Sequence, residues 1–194
     1  MRLENICKSF LGKDGRVVKV FENFSLETQS GSVTCITGAS GAGKTTLLNI
    51  IAGLVKPESG AVVREGSEAG RVSYLFQEPR LLLWRTALEN CVLVCSDKQK
   101  AVSCLSMAGL GDKLSSYPSE LSGGERQRVA LARALCFESS VVLMDEPFQN
   151  LDEALSESLA SDFFKLLREK KCSVIWVSHD LEAAKKYSDR IIAL

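Results

Sequence analysis

Apolar residues recur along this chain in two rhythms. Nearly continuous apolar runs fall at Val33–Thr37, Val141–Met144 and Cys172–Val177. Runs of that length, rich in β-branched residues, predict strands buried on both faces. Leu47, Leu48, Ile51 and Leu54 recur instead at helical spacing, as do Leu155, Leu159, Phe163 and Leu167. The first of these helices is expected over Lys44–Leu54, ended by Gly53, Pro57 and Gly60. Another is expected over Ser122–Cys136, and Asp180 is placed to cap a third after the last apolar run. Residues 1–31 read as short strands broken at Gly12-Lys13-Asp14-Gly15, and 61–76 as two more. Residues 80–120 form a helical patch of weaker periodicity, closed by Pro118. Alternating strands and helices predict an α/β fold, with a parallel sheet covered by helices on both faces. Ligands of such sheets sit beyond the carboxyl ends of the strands, and polar residues here follow Thr37, Met144 and Val177.

Composition narrows the picture by exclusion. A chain of 194 residues suits one compact domain, or one core with a small subdomain. With 45% hydrophobic and 25% charged residues it is neither a disordered tail nor collagen-like. Lys plus Arg (24) balances Asp plus Glu (24), so bulk charge offers no argument for nucleic acid as a partner. Seven cysteines, odd in number and irregular in spacing, fit free thiols in a reducing compartment better than a disulfide framework. Cys91 and Cys95 stand four apart, but His179 is the only histidine, too few ligands for a zinc site. Met1–Asn5 is polar and no apolar run approaches the roughly 20 residues of a membrane span, so the expectation is a cytoplasmic protein that meets a membrane through a partner.

Three motifs carry chemistry. Gly38-Ala39-Ser40-Gly41-Ala42-Gly43-Lys44-Thr45 fits G-x-x-x-x-G-K-[ST] in full. Its glycines let backbone N–H groups curl round a phosphate chain, Lys44 can reach the β and γ phosphates, and the Thr45 hydroxyl can bind Mg²⁺. Val141–Glu146 is an apolar strand ending in two carboxylates; Asp145 would hold Mg²⁺ through water and Glu146 would polarise the attacking water. Leu121-Ser122-Gly123-Gly124-Glu125-Arg126-Gln127-Arg128 places a serine and two glycines at a helix start. That is either a bare anion site or a capping box of Ser122 with Glu125, and both readings can hold together.

In this order, with Ser178-His179-Asp180 after the last apolar run, these motifs resemble the ATP-binding cassette (ABC) ATPases over nearly the whole chain. LSGGERQR is the specific element, separating this family from other phosphate-loop enzymes. The resemblance implies a RecA-like core at about 32–56 and 123–194, an N-terminal antiparallel β subdomain at about 1–31 and 57–76, and a helical subdomain at about 77–122. It implies ATP and Mg²⁺ as cofactors, with Gly38 through Thr46 around the phosphates and Phe10 stacked on adenine, against the plainer reading of Phe10 as a core residue. Gln77 would sense Mg²⁺ and the transporter partner, and His179 would contact the γ-phosphate. Ser122, Gly123 and Gly124 would grip the nucleotide held by a second copy in a head-to-tail homodimer, and Asp152 would link the two sites.

Two departures stand out. Phe148-Gln149-Asn150-Leu151 precedes Asp152 where the family usually carries Ser-Ala-Leu or similar, which changes the expected dimer-interface geometry. The chain also stops at Leu194, soon after His179, where relatives commonly continue, so a last piece of the fold is expected to be missing. Phe76-Gln77-Glu78-Pro79-Arg80-Leu81-Leu82-Leu83-Trp84 is similar to the FQ-x-x-x-LLPW stretch of importers for nitrate, sulfonates, taurine and pyrimidine precursors, with Leu83 in place of the proline. Residues Leu81–Trp84 are either core packing or a docking patch for a membrane permease, which would then dock near Gln77–Trp84 through Trp84 and Leu82.

The leading expectation is therefore the Mg²⁺-dependent ATPase subunit of a prokaryotic importer, peripheral on the inner face of the cell membrane, with an external binding protein as an indirect partner. A soluble ABC ATPase acting on ribosomes or DNA generally needs two cassettes or a long coiled-coil insertion, and the 78 positions from Lys44 to Ser122 leave no room for one. A GTPase would carry an Asn-Lys-x-Asp guanine reader, which is absent. A non-hydrolysing regulatory cassette would not be expected to keep Glu146, Gln77 and His179 together.

Overall fold

The computed structural model describes residues 1–12, 15–64, 70–149 and 151–194. Lys13 and Asp14 of the expected turn, and Asn150, lie outside them. Two long strands, β1 (Arg2–Leu11) and β2 (Val17–Glu27), pair antiparallel, and β4 (Ser59–Val63) joins the other edge of β1. The short strands expected over 1–31 are thus 10 and 11 residues long. Irregularities in the register near Asn5 and Asn23, both at positive φ, bend them instead of ending them.

The second sheet is fully parallel in the order β5-β6-β7-β3-β8, formed by Val72–Leu75, Val141–Asp145, Ser173–Val177, Val33–Thr37 and Arg190–Ala193. β3, β6 and β7 are buried at every position, and alternate residues serve different layers. Ile36, Leu143, Ile175 and Val177 pack with Leu47, Leu48 and Ile51 of α1 (Lys44–Ile51) and with Leu3, Ile6 and Phe21 of the antiparallel sheet. Cys35, Val142, Met144, Val174 and Trp176 face the other way, onto Leu131 and Leu135 of α4 (Gly123–Cys136) and Phe163, Phe164 and Leu167 of α5 (Glu153–Glu169). Each such fully buried side chain is worth about 1.5–3 kcal/mol, and a strand facing two cores has no polar face to spare.

A third cluster joins α2 (Ala87–Cys95), α3 (Lys98–Met107) and the far side of α4 through Cys91, Leu105, Val129, Ala132 and Cys136. A short helix α6 (Leu181–Tyr187), capped by Asp180, leads into β8.

Two expectations change. The strand at 72–75, grouped by sequence with the antiparallel sheet, pairs with β6 in the parallel one, because its buried Ser73 and Leu75 extend the central core. β8 was not anticipated; it is a four-residue, mostly exposed strand on the outer edge of β3, and its apolar run is too short to stand out. Among the described residues no helix is long and apolar enough to cross a membrane.

Candidate nucleotide site at the carboxyl edge of the parallel sheet

β3 releases the chain at Thr37 into a loop whose glycines are sterically required at two points. Gly38 has φ 144° and Gly43 φ 97°. A Cβ on Gly38 would stand 2.7 Å from the Leu194 carbonyl oxygen, and one on Gly43 2.5 Å from Val20 Cγ1. Between them Ala39, Ser40 and Gly41 are exposed.

The helix that follows starts without protection. Thr86, Asp97, Ser122 and Asp180 cap α2, α3, α4 and α6 with their side chains. α1 has Gly43 at its cap, no side-chain hydrogen bond there and no acidic residue in its first turn. Its leading N–H groups and the positive end of its dipole are therefore left for an anion. Lys44 reaches back over the loop, donating from Nζ to the carbonyls of Gly38 and Ala39, both at 2.8 Å.

The neighbouring strand ends bring the remaining groups together. Thr45 donates its hydroxyl to Asp145 Oδ2 at 2.6 Å. Asp145 is 5% exposed, and burial pushes its carboxyl above the ordinary range; the Glu146 charge adds to this, while the Thr45 hydrogen bond and Lys44 oppose it. Asp145 pairs with Val177 across β6 and β7, so Glu146 and His179 emerge at the same edge. Glu146 turns into the left-handed region, φ 48°, pinned by its N–H donating to the Val177 carbonyl at 3.1 Å. Its Oε2 lies 3.1 Å from Nδ1 of the exposed His179. A groove of about 840 Å³ opens from this pair along α5 and α6; residues 38–46 of the phosphate loop do not line it.

The residues fit ATP and Mg²⁺ by their donor chemistry. An uncapped helix start with a lysine suits polyphosphate, and a hydroxyl beside a buried carboxylate suits a hard, oxygen-seeking cation.

Other expected site residues stand further out. Phe10 is 42% exposed, with the Lys8 ammonium 5.0 Å from its ring centroid, so it is not a core phenylalanine. Ser122 accepts from the Glu125 N–H at 3.2 Å and donates its own N–H to Glu125 Oε2 at 2.7 Å, a complete capping box. Ser122 and Gly123 are nonetheless exposed, and among the described residues no hydrogen bond joins Ser122–Gly124 to the loop at 38–46. Gln77, two residues beyond β5, donates to Gln149. Asp152 starts α5 without capping it.

Sequence reasoning missed the residues that hold these segments in place. Asn90, fully buried, accepts from the Leu82 N–H and donates to the carbonyls of Leu82, Arg85 and Thr86. Arg133 donates to the carbonyls of Pro79 and Arg80. Together they fix an irregular loop, not the helical face expected, with Leu83 67% and Trp84 71% exposed and Leu82 half-buried. Buried Gln127 donates to the Pro147 carbonyl at 2.9 Å. A polar residue amid the apolar face of α4 was the available signal for Gln127.

Fold and loop define the class: a phosphate-loop nucleotide-binding domain with a parallel sheet. The ABC transporter family profile matches residues 21–149. The chain is 40% identical to the aliphatic sulfonates import ATP-binding protein SsuB 1 of Rhodococcus jostii, over 95% of this chain and 76% of that protein. It is 35% identical to the bicarbonate transport ATP-binding protein CmpD of Synechocystis, over 100% of this chain and 73% of that one. The dimeric structure of MJ0796, a bacterial ABC transporter cassette, superposes with TM-score 0.90 at 32% identity, covering 100% of this chain and 93% of that one. The chain belongs to the ABC transporter family, as its ATP-binding cassette.

Proposed function

We propose that this chain is the ATP-hydrolysing subunit of a membrane importer, closing on ATP as a head-to-tail dimer and reopening after hydrolysis. The observation that carries the reading is the convergence, at the ends of adjacent strands β6, β7 and β3, of the uncapped α1 with Lys44, the Thr45–Asp145 pair and the Glu146–His179 pair.

When bound, Mg²⁺–ATP supplies the electrophilic γ-phosphorus and the metal's charge on the phosphate oxygens. The N–H groups from Gly38 through Thr46 and the Lys44 ammonium neutralise phosphate oxygens, Lys44 exchanging the loop carbonyls for them. Thr45, Asp145 and Gln77 offer oxygens to the metal. Glu146 takes the proton of the attacking water, and His179, beside it, reaches for the γ-phosphate. Exposed Phe10 stacks on the adenine. Ala39, Ser40 and Gly41 leave the phosphate loop open to solvent, and Ser122, Gly123 and Gly124 of another copy cover its ligand, with Asp152 between the two sites.

Trp84 docks a membrane permease together with Leu83, which is exposed beside it, and not with the expected Leu82, which is half-buried. A loop held by a buried asparagine and a half-buried arginine has the rigidity to present two large apolar side chains to water at low ordering cost on binding. The chain then works on the inner face of the membrane, and the permease with its external binding protein selects the cargo. The three-part organisation is a β subdomain, a RecA-like core that includes β5, and the helical unit of α2 and α3.

Lys44→Ala tests the site directly. Removing a charge-assisted partner of buried phosphate should weaken ATP binding about 10- to 100-fold by calorimetry. Unchanged affinity would remove the assignment.

A further inference from the structure

We propose that Gln149 is a positioning residue for Gln77, setting its amide for the cation of the nucleotide site; this rests on the reading of Gln77 as a metal contact.

Gln149 stands where the family pattern has a small residue, and its side chain is engaged: Gln77 donates from Nε2 to Gln149 Oε1 at 3.0 Å. The placement follows from the sheet. β5 and β6 are adjacent and parallel with Leu75 opposite Met144, so the segments leaving them run side by side.

The Gln149 end of the bond is firmly based. The Gln149 N–H donates to the Glu146 carbonyl at 3.2 Å, and Gln127 of α4 donates to the Pro147 carbonyl. Phe148 packs against Phe163, Phe164 and Trp176. The Gln77 side chain is exposed; its segment is held on one side by Phe76, which stacks on Tyr74 and under Arg80, and on the other by Arg133 at the carbonyls of Pro79 and Arg80.

A glutamine has one atom that can face a cation, its carbonyl oxygen. Donating Nε2 to Gln149 keeps that oxygen uncommitted and removes rotamer freedom that metal binding would otherwise have to remove. The same bond joins the segment ahead of Asp152 to the one leading to Leu83 and Trp84.

The test uses the full chain carrying Glu146→Gln, loaded with ATP and titrated with Mn²⁺ followed by paramagnetic resonance, which reads metal occupancy and not turnover. Gln149→Met keeps the length and removes the acceptor. It should raise the half-saturating Mn²⁺ about two- to tenfold, the range for one net hydrogen bond, and leave ATP affinity in chelator unchanged. Gln149→Glu, whose carboxylate still accepts from Nε2, should bring the value back to that of the wild type or below it, since the added negative charge also draws Mn²⁺. In a Gln77→Ala chain the charge-neutral Gln149→Met should have no further effect.

If Gln77→Ala raises the Mn²⁺ requirement and Gln149→Met does not, the positioning role is overturned and the Gln77 assignment stands. Multiplying effects of the two substitutions would overturn it equally, as would a loss of ATP affinity in chelator with Gln149→Met. If Gln77→Ala leaves Mn²⁺ binding unchanged, the metal assignment of Gln77 fails and takes this inference with it.

Discussion

Asp145 and Glu146 are neighbours that bear opposite kinds of strain. Glu146 holds a left-handed backbone, which costs a non-glycine residue about 1 kcal/mol or more and aims its carboxylate at the crevice. Asp145 keeps ordinary strand geometry but carries its charge into the protein, where burial raises its pKa. The native state then binds the proton more readily than the unfolded chain. Stability therefore falls as pH rises from the ordinary aspartate value, about 3.9, through the raised one, and stays lower above it. Asp145→Asn has no such ionisation and can keep accepting from Thr45. The nucleotide-free variant should melt higher than the wild type at pH 7, with the gap narrowing toward pH 4, followed by circular dichroism. Equal melting at pH 7 would mean that the buried charge is already compensated. The carboxylate pair was legible as sequence, since two acids ending an apolar run are conspicuous; the left-handed turn and the burial were not, because both depend on β7 lying alongside.

At the scale of elements, two helix starts with similar sequence cues behave differently. Ser122 with Glu125 satisfies its own helix, whereas Gly43 leaves α1 open to a ligand. Local spacing revealed both motifs, but only the presence or absence of a capping side chain separates them. The loop before α2 makes the complementary case. Its apolar run was visible as four letters, Leu81 to Trp84, yet which of them face water was decided by Asn90 and Arg133, distant in sequence from each other. Since Trp84 is 71% exposed, Trp84→Glu should change thermal stability by about 0.5 kcal/mol or less. It should also abolish co-purification with the membrane subunit. Unfolding would return Trp84 to a packing role, and retained co-purification would end the docking assignment.

In the whole molecule the phosphate loop and the Ser122 turn are both exposed and no hydrogen bond among the described residues joins them, an arrangement that two copies can complete for each other. A mixed dimer tests this. One chain carries Lys44→Ala, the other Ser122→Arg, both with Glu146→Gln so that bound ATP is not consumed. Either homodimer has both sites damaged. In the mixed dimer one site collects both lesions and the other none, so mixing should restore trapped ATP to about one per mixed dimer. No restoration, with mixed dimers verified by mass, would place Ser122 in its own chain's site.

The sequence by itself determined the parallel sheet, the phosphate loop, the acidic strand end and the family, because each is written in contiguous residues whose spacing is dictated by backbone geometry. It also carried the branch resemblance through Phe76–Trp84. Tertiary structure alone decided that β5 belongs with β6, that β8 closes the edge beside β3, and that Phe10, Leu83 and Trp84 face water. It alone brought Thr45 to Asp145, Glu146 to His179 and Gln77 to Gln149, across separations of 100, 33 and 72 residues. The physical reason is common to all of them. A strand's partner, a side chain's exposure and a hydrogen bond between distant residues are properties of neighbours in space, fixed when alternate faces of buried strands choose their layers and the strand ends come into register.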